Sequence, residues 1–402
     1  MSVQLEAVAF NHDNSAATGD ALTIRRNATQ DVTVPEWRRG LSVTPEDSPA
    51  AYAKAAVAGN TLTIKVQLSR TGPAPSTIEV RALDADAYPS PGPGGCLGFI
   101  VWLLRLLVRA LVGNPLGEVA ARSITFPASG TTGLESFKLT GVRLDSVGAG
   151  VRTTRWRWQY RQASSDAWTD FATTSHRIYV LLDIPTAPWV QTPGSSQVPW
   201  TDVLDRACIW ASLATSRNEA AEKVTRAVYD LGPSVVEYDC PGGGASHYSL
   251  GSFDCTAFVE RLNGGVGNGR YVNCSDCATI ASTFANVLGC DLWQSRMESG
   301  FALNELLAIG SGTWQTACGW GSFNYHEVAW LGGCTQNDPV WDACLQVDGD
   351  ADPTTAPHTP MLPVNLVFGA IGAGLYRDRL CTPAGRPNCN PAPATRARRL
   401  VV

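Results

Sequence analysis

The chain has 402 residues, of which 44% are hydrophobic and 17% are charged, and its formal net charge is −5. This length favours two domains over one, and the hydrophobic fraction is typical of a globular protein with a large core. The slightly acidic balance gives no electrostatic basis for binding nucleic acid, so the sequence argues against a nucleic-acid partner.

The first twenty residues, MSVQLEAVAFNHDNSAATGD, have neither the basic nor the apolar region of a secretory signal peptide. We therefore expect a cytoplasmic protein, in which most of the 12 cysteines would be small buried side chains. The sequence leaves disulfides open, for example one between Cys381 and Cys389.

Residues 1–185 are predicted to form an all-β domain. The segment TLTIKVQLSR alternates apolar with polar side chains, as a strand with one buried face does, and TRWRWQYR does the same with aromatic residues. About eight such segments, separated by turns rich in Gly, Pro and Ser, indicate an immunoglobulin-like β-sandwich.

An apolar segment interrupts this strand pattern. GGCLGFIVWLLRLLVRALVGNPLG is about as long as a membrane span and predicts a helical insertion over about residues 94–116. Arg105 and Arg109 lie four residues apart, on one face of that helix, which favours an amphipathic helix over a span. Residues 96–113 would then pack on the protein itself, on a partner protein or on a membrane surface, which would make the protein membrane-associated.

Residues 186–200 are predicted to be a linker, because IPTAPWVQTPGSSQVPW is rich in proline and small polar residues. Over residues 201–385 the apolar period first becomes helical and returns to that of strands after residue 320, which predicts an α+β domain. Residues 386–402 are expected to form a loose tail.

The segment NCSDCATIASTFANVLG predicts a helix with Asn273 as its N-cap. Its apolar residues form one stripe that reaches back to Cys274, so this thiol would lie at the helix start. The free N–H groups and positive dipole end there stabilise a thiolate and can hold an oxyanion. Cys274 is therefore a candidate nucleophile, whereas Cys277, one turn deeper, is expected to belong to the core.

A thiol nucleophile needs a base, and the base needs a group that orients it. His326 lies in the strand-like FNYHEVAW, and Asp342 lies in the strand-like DPVWDACLQV. Two neighbouring strands packed on the cysteine helix would bring both side chains to Cys274. His247, in the glycine-rich GASHYSLG, could line a cleft, but a surface loop is the simpler interpretation.

The order of these residues resembles the transglutaminase-like superfamily, which shares the papain-like cysteine-protease core. That family's helix motif is a cysteine, a variable residue, an acidic residue, an aromatic residue and an alanine. The segment CSDCA matches it at Cys274, Asp276 and Ala278 and departs from it at Cys277. VWDAC resembles the family's Trp-Asp strand, whereas the Ala-Trp pair that typically follows the histidine is displaced here by Glu-Val.

The resemblance covers residues 200–370 and implies a catalytic triad of Cys274, His326 and Asp342. It further implies hydrolysis of an amide bond in a protein or peptide substrate through a thioester, as in a protease or amidase, with neither a metal nor a cofactor. Transfer of the acyl group to an amine is the alternative, and we favour hydrolysis because nothing in the sequence identifies an amine-acceptor site.

Two functions of other classes remain open. One is a protein-binding or membrane-binding protein with an inactive papain-like domain. The other is a thiol redox protein that uses Cys274 and Cys277 as a C-x-x-C pair. A zinc site is the weaker metal interpretation, because the sequence has no second C-x-x-C and would need ligands from among His326, Cys318 and Cys334.

Overall fold

The structure is a computed structural model, and it describes residues 2–10, 20–41, 44–72, 77–86, 114–240, 242, 244, 247–249, 251–319 and 321–402. The predicted apolar helix at 96–113 lies outside the described residues. The chain divides into two compact units, the first Met1–Ile184 with Gln191–Pro193 and the second Pro185–Val190 with Gly194–Val402. None of the helices in these ranges is both long enough and apolar enough to cross a membrane.

The described part of the first unit is built from strands: β1 (Ser2–Ala9), β2 (Trp37–Arg38), β3 (Ala50–Ala53), β4 (Thr63–Thr71), β5 (Thr77–Asp84), β6 (Glu118–Thr125), β7 (Glu135–Thr140), β8 (Gly150–Arg161) and β9 (Thr169–Leu181). They form one continuous sheet in the order β2-β1-β4-β7-β6-β5-β8-β9-β3. Neighbouring strands are antiparallel except for β3 and β9, which are parallel.

The core of this unit lies on one face of the sheet. In β4 the predicted alternation is realised, because Ile64, Val66 and Leu68 are fully buried between more exposed residues. Trp156 and Trp158 of β8 are also fully buried and meet edge to face with ring centroids 6.0 Å apart. Alternation gives strands such as β4 and β5 one apolar face, and the buried residues of the unit make a single cluster.

The first unit is all-β as predicted, and pairing links its strands into one continuous order. Phe10, just after β1, packs on Trp156 of β8 and His176 of β9, so the two ends of this order face each other. A sandwich of immunoglobulin type stays a prediction. The helical structure described in this unit is limited to α1 (Lys54–Val57) and a 3-10 turn at Leu144–Ser146. These elements are too short to cover an apolar face of this size, so the sheet curls and covers the face itself.

The second unit combines helices and strands. Its helices are α2 (Thr201–Trp210), α3 (Arg217–Tyr229), α4 (Cys255–Leu262), α5 (Cys274–Asn286) and α6 (Tyr376–Leu380). Its strands are β10 (Glu237–Tyr238), β11 (Tyr248–Ser249), β12 (Ser252–Phe253), β13 (Tyr271–Val272), β14 (Trp293–Ala302), β15 (Leu307–Ala308), β16 (Ser322–Trp330), β17 (Pro339–Trp341), β18 (Leu345–Asp348), β19 (Pro360–Met361), β20 (Leu366–Val367), β21 (Asn390–Ala397) and β22 (Leu400–Val401). The largest sheet has the antiparallel order β20-β17-β16-β14-β21.

Helix α5 is central to this unit, since it packs against α2, α3, β14 and β16, and all of its residues are buried. The single apolar stripe predicted from the sequence therefore understates its burial. Two of its hydroxyl groups donate back to the helix backbone: Thr279 Oγ1 donates to the Ser275 carbonyl at 2.6 Å, and Ser282 Oγ donates to the Ala278 carbonyl at 2.7 Å. Such local bonds let a helix rich in Ser and Thr enter a core.

The prediction of a loose tail at 386–402 is wrong. Strand β21 pairs antiparallel with β14, and β22 pairs in parallel with β12. The segment contains Pro, Ala and Arg and lacks the alternation that marks a strand. An edge strand is held mainly by backbone hydrogen bonds to its neighbour, so its own side-chain pattern does not reveal it.

Candidate active site

The start of α5 is fixed by a reciprocal capping box. The Asn273 side chain accepts hydrogen bonds from the N–H groups of Ser275 at 2.9 Å and Asp276 at 3.1 Å, and the Asp276 carboxylate accepts from the Asn273 N–H at 3.1 Å. The predicted N-cap is thus confirmed. The box makes Cys274 the first helical residue, where the positive end of the helix dipole favours an anion.

His247 is held beside this helix start, since its N–H donates to the second carboxylate oxygen of Asp276 at 3.1 Å. The residue is buried, so the expectation of a surface loop is wrong. Its ring meets Phe258 edge to face, with centroids 5.1 Å apart. Burial lowers the pKa of His247 to about 4, so the imidazole is neutral at pH near 7.

His326 and Asp342 meet in the interior of the unit. His326 lies in β16, and Asp342 directly follows β17, the antiparallel neighbour of β16. His326 Nε2 and Asp342 Oδ2 are 2.9 Å apart, and neither side chain is more than 1% exposed. The strand pairing predicted from the sequence therefore brings these two residues together, although Asp342 lies just beyond its strand.

The Asp342 carboxylate is also held by other donors. Its Oδ1 accepts from the N–H groups of Cys344 at 2.8 Å and Leu345 at 3.2 Å, and its Oδ2 accepts from the Tyr376 hydroxyl at 2.7 Å. Burial and the adjacent carboxylate raise the pKa of Tyr376 well above its usual value, so this tyrosine stays a neutral donor. Sequence analysis missed Tyr376, because one tyrosine in GAGLYRDRL has no local feature that distinguishes it from core.

The electrostatic state of His326 follows from these neighbours. Burial disfavours the imidazolium, but the charge and hydrogen bond of Asp342, together with Cys274, outweigh burial and raise the pKa of His326 to about 10. The ring nitrogen not bound to Asp342, Nδ1, is buried and has no partner of good hydrogen-bond geometry in the described part of the chain. Cys274 thus interacts with the ring without forming a well-aligned hydrogen bond.

Aromatic residues enclose the pair. Phe323 stacks on the His326 ring with centroids 5.4 Å apart and planes 15° apart. Burial raises the pKa of Tyr238 and of Tyr325, and a negative charge at Cys274 raises both further. Cys274 itself is only 5% exposed, so a substrate would need a narrow approach to it.

Cys277 is buried, as expected for the deeper position, and its thiol partner is Cys344. A hydrogen bond from Cys344 favours the thiolate, but burial and the carboxylates of Asp276 and Asp342 outweigh it and raise the pKa of Cys277. Cys274 and Cys277 are both free thiols in this structure. A redox pair of Cys274 and Cys277 would therefore have to break the hydrogen bond between the Cys277 and Cys344 thiols.

A disulfide joins Cys240 to Cys318 across 78 residues of sequence. It removes Cys318 from the ligand set considered for zinc, and no group of three or more His, Cys, Asp or Glu residues able to hold a metal ion occurs in the described ranges. Cys381 and Cys389 are both free and buried, and a hydrogen bond between their thiols contributes to the raised pKa of Cys381. The Cys240–Cys318 bond was not predicted, because its two cysteines are 78 residues apart and belong to no shared motif.

Comparisons with known proteins add one finding. No family model and no curated protein matches the sequence. Among solved structures, the chain is similar to red sea bream transglutaminase, with 12% identity and a TM-score of 0.37 over 76% of this chain and 50% of that one. The chain thus spans about half the length of that enzyme.

Proposed function

We propose that the protein is a cysteine hydrolase that cleaves amide bonds in a protein or peptide substrate. Cys274 is the nucleophile, His326 carries the proton, and Asp342 orients the imidazole. The observation that carries this proposal is the buried 2.9 Å bond between His326 Nε2 and Asp342 Oδ2, which leaves Nδ1 for the thiol at the start of α5.

The chemistry starts from a protonated His326 beside the Cys274 sulfur. The thiolate attacks the carbonyl carbon and forms a C–S bond while the carbonyl oxygen becomes an oxyanion. Collapse breaks the C–N bond, His326 gives its proton to the leaving nitrogen, and a thioester remains. Water then attacks the thioester, His326 takes a proton from it, and the carboxylic acid leaves as the C–S bond breaks.

Donors for the oxyanion are fewer than the sequence suggested. The N–H groups of Ser275 and Asp276 are both bound to the Asn273 side chain, so the N–H of Cys274 is the helix-start donor left beside the sulfur. The neutral hydroxyl groups of Tyr238 and Tyr325 are candidates for a second donor. Transfer of the acyl group to an amine would start from the same thioester, so transamidation is the alternative to hydrolysis.

Thiol reactivity tests the proposal. Intact mass is measured after brief iodoacetamide treatment at about pH 6.5, where an ordinary thiol is almost unreactive. Wild type should take up one fast adduct that is absent from Cys274→Ala and much slower to form in His326→Ala. The matched control is Cys290→Ala, which should keep the fast adduct, because burial raises the pKa of that thiol to about 12.

Absence of a fast adduct in wild type would contradict the enzyme proposal and favour a binding protein with an inactive domain. If the adduct forms, a peptide library analysed by mass spectrometry with an added primary amine separates the reactions. Shortened peptides indicate a protease, loss of side-chain amide indicates an amidase, and amine adducts indicate transamidation. The binding role predicted for residues 96–113 stays a prediction.

A further inference from the structure

We propose that Arg399, acting through Glu327 and Ser275, is a positioning residue that holds the Cys274 sulfur against the His326 ring. The inference rests on the proposed function and adds to it a residue from the segment that the sequence suggested to be a loose tail. No residue of this network belongs to the proposed triad.

The network touches the two reacting residues through their immediate neighbours. Ser275 directly follows Cys274, and Glu327 directly follows His326. Ser275 Oγ donates to Glu327 Oε2 at 2.6 Å, and both residues are buried, with at most 1% exposure. One hydrogen bond therefore joins the start of α5 to β16 at the point where thiol and imidazole must meet.

Arg399 supplies the charge that this carboxylate needs. Its Nη1 lies 2.7 Å from Glu327 Oε1, and its Nη2 lies 3.1 Å from Oε2, so the guanidinium pairs with both oxygens in a bidentate arrangement. Arg399 is 5% exposed, whereas the second cation on Glu327, Arg296, is 29% exposed and lies at 3.4 Å. Bidentate pairing fixes the plane of the Glu327 carboxylate and hence the direction of its hydrogen bond with Ser275.

The same guanidinium also binds the neighbouring elements. Arg399 Nη1 donates to Thr279 Oγ1 in α5 at 2.8 Å, and the Arg399 N–H donates to Gln294 Oε1 in β14 at 3.2 Å. Arg399 lies between β21, which pairs with β14, and β22, which pairs with β12. The C-terminal segment thus sets the place of Arg399, and Arg399 joins α5, β14 and β16.

Loss of the guanidinium would leave Glu327 as a buried carboxylate with only a partly exposed cation nearby. Such a group draws in water or shifts toward solvent, and its bond to Ser275 would then no longer hold the helix start. A displacement of the sulfur by about 1 Å from the imidazole is enough to slow a reaction by about 100-fold. The His326–Asp342 bond needs no part of this network and would remain.

The experiment measures the rate constant of Cys274 alkylation by iodoacetamide as a function of pH, well below the melting temperature of each variant. In Arg399→Met we expect the rate near pH 6.5 to fall about 100-fold and the midpoint of the pH profile of the rate to move to higher pH. Arg399→Lys keeps the charge but loses the bidentate pairing, so its alkylation rate should lie between those of Arg399→Met and wild type.

Arg398→Met is the matched control, because Arg398 adjoins Arg399, pairs with Asp291 and stacks 3.8 Å above the Trp293 ring. It should lower the melting temperature slightly and leave the midpoint unchanged. Ser275→Ala is a milder variant that should raise the midpoint by a smaller amount even if Arg399→Met does not fold.

A fast wild-type adduct combined with wild-type midpoints in Ser275→Ala and in any folded Arg399 variant would overturn this inference and leave the proposed function intact. A merely structural role predicts that result, with lower melting temperatures and an unshifted midpoint. Absence of the wild-type adduct would overturn both proposals.

Discussion

His176 in the first unit and His326 in the second are both buried histidines on strands, but their surroundings differ. His176 lies against the rings of Phe10 and Trp156, and its Nε2 meets the Thr174 hydroxyl at 2.8 Å. Burial lowers the pKa of His176 to about 3, whereas burial is outweighed at His326, mainly by Asp342, and its pKa is about 10. An adjacent carboxylate, and not the depth of burial, therefore decides whether an interior imidazole carries charge.

The largest expected effect comes from making His326 resemble His176. In Asp342→Ala the imidazole loses its carboxylate, so burial dominates and the pKa of His326 should fall from about 10 to below its ordinary value of 6.5. Alkylation of Cys274 near pH 6.5 should slow by up to about 100-fold, because an ordinary thiol, with a pKa of about 8.5, is only about 1% thiolate at that pH. NMR titration of the imidazole and the alkylation rate measure the two effects. An unchanged pKa would show that Asp342 is not the source of the charge.

The pH dependence of stability should differ in sign between the units. The folded-state pKa of His326 lies above its unfolded value, so its stabilisation is complete below pH 6.5 and is lost as pH rises through about 10. The folded-state pKa of His176 lies below its unfolded value, so the first unit should lose stability as pH falls from about 6.5 toward 3.

Hydrogen exchange resolved by peptide, at a series of pH values, measures both windows. His176→Gln is the control. It should remove the loss of hydrogen-exchange protection at low pH, and it should do so only in peptides from β8 and β9. Acid sensitivity that persists in His176→Gln would assign it to other groups.

A smaller effect is expected from Tyr376→Phe, which removes the Tyr376 hydroxyl as a donor to the Asp342 carboxylate. The N–H groups of Cys344 and Leu345 and the His326 ring remain as its partners. A hydrogen bond to a charged group contributes at least about 1.5 kcal/mol, so alkylation of Cys274 should slow by roughly tenfold. Tyr271→Phe, at a more exposed tyrosine of β13, is the matched control and should be neutral. Equal rates in the two variants would contradict a supporting role for Tyr376.

The smallest effect on Cys274 alkylation is expected from a substitution in the apolar core of the first unit. Ile64→Val removes one buried methylene group and should lower the free energy of unfolding by about 1 kcal/mol. Chemical denaturation measures this loss, and the alkylation rate of Cys274 should stay at its wild-type value. A change in that rate would mean that the two units are coupled.

The sequence predicts those features whose cause is local. Alternation marks β4 and β8, and the Asn273 cap marks the start of α5, because strand periodicity and capping are written within a few residues. His326 and Asp342 were each chosen from their own strand context, and the structure joins them. Their catalytic roles, with that of Cys274, stay predictions.

Features that depend on distant partners were not predictable. Tyr376 matters because it lies 34 residues from Asp342 in the chain and 2.7 Å from it in space. Arg399 and Glu327 are separated by 72 residues, and a basic segment near residue 399 has the composition of a solvated end. The continuous curled sheet likewise depends on the pairing of β6 with β7, which local alternation does not encode.

The bond between Cys240 and Cys318 closes a covalent ring that contains the proposed nucleophile Cys274 but excludes His326 and Asp342. A single protease cut inside the ring leaves one molecule, whose two pieces separate only when the disulfide is reduced. A cut between Cys318 and His326 severs the chain outright. Cys274 therefore lies inside this covalent ring and His326 lies outside it, and noncovalent contacts such as the Ser275–Glu327 bond hold the two segments together.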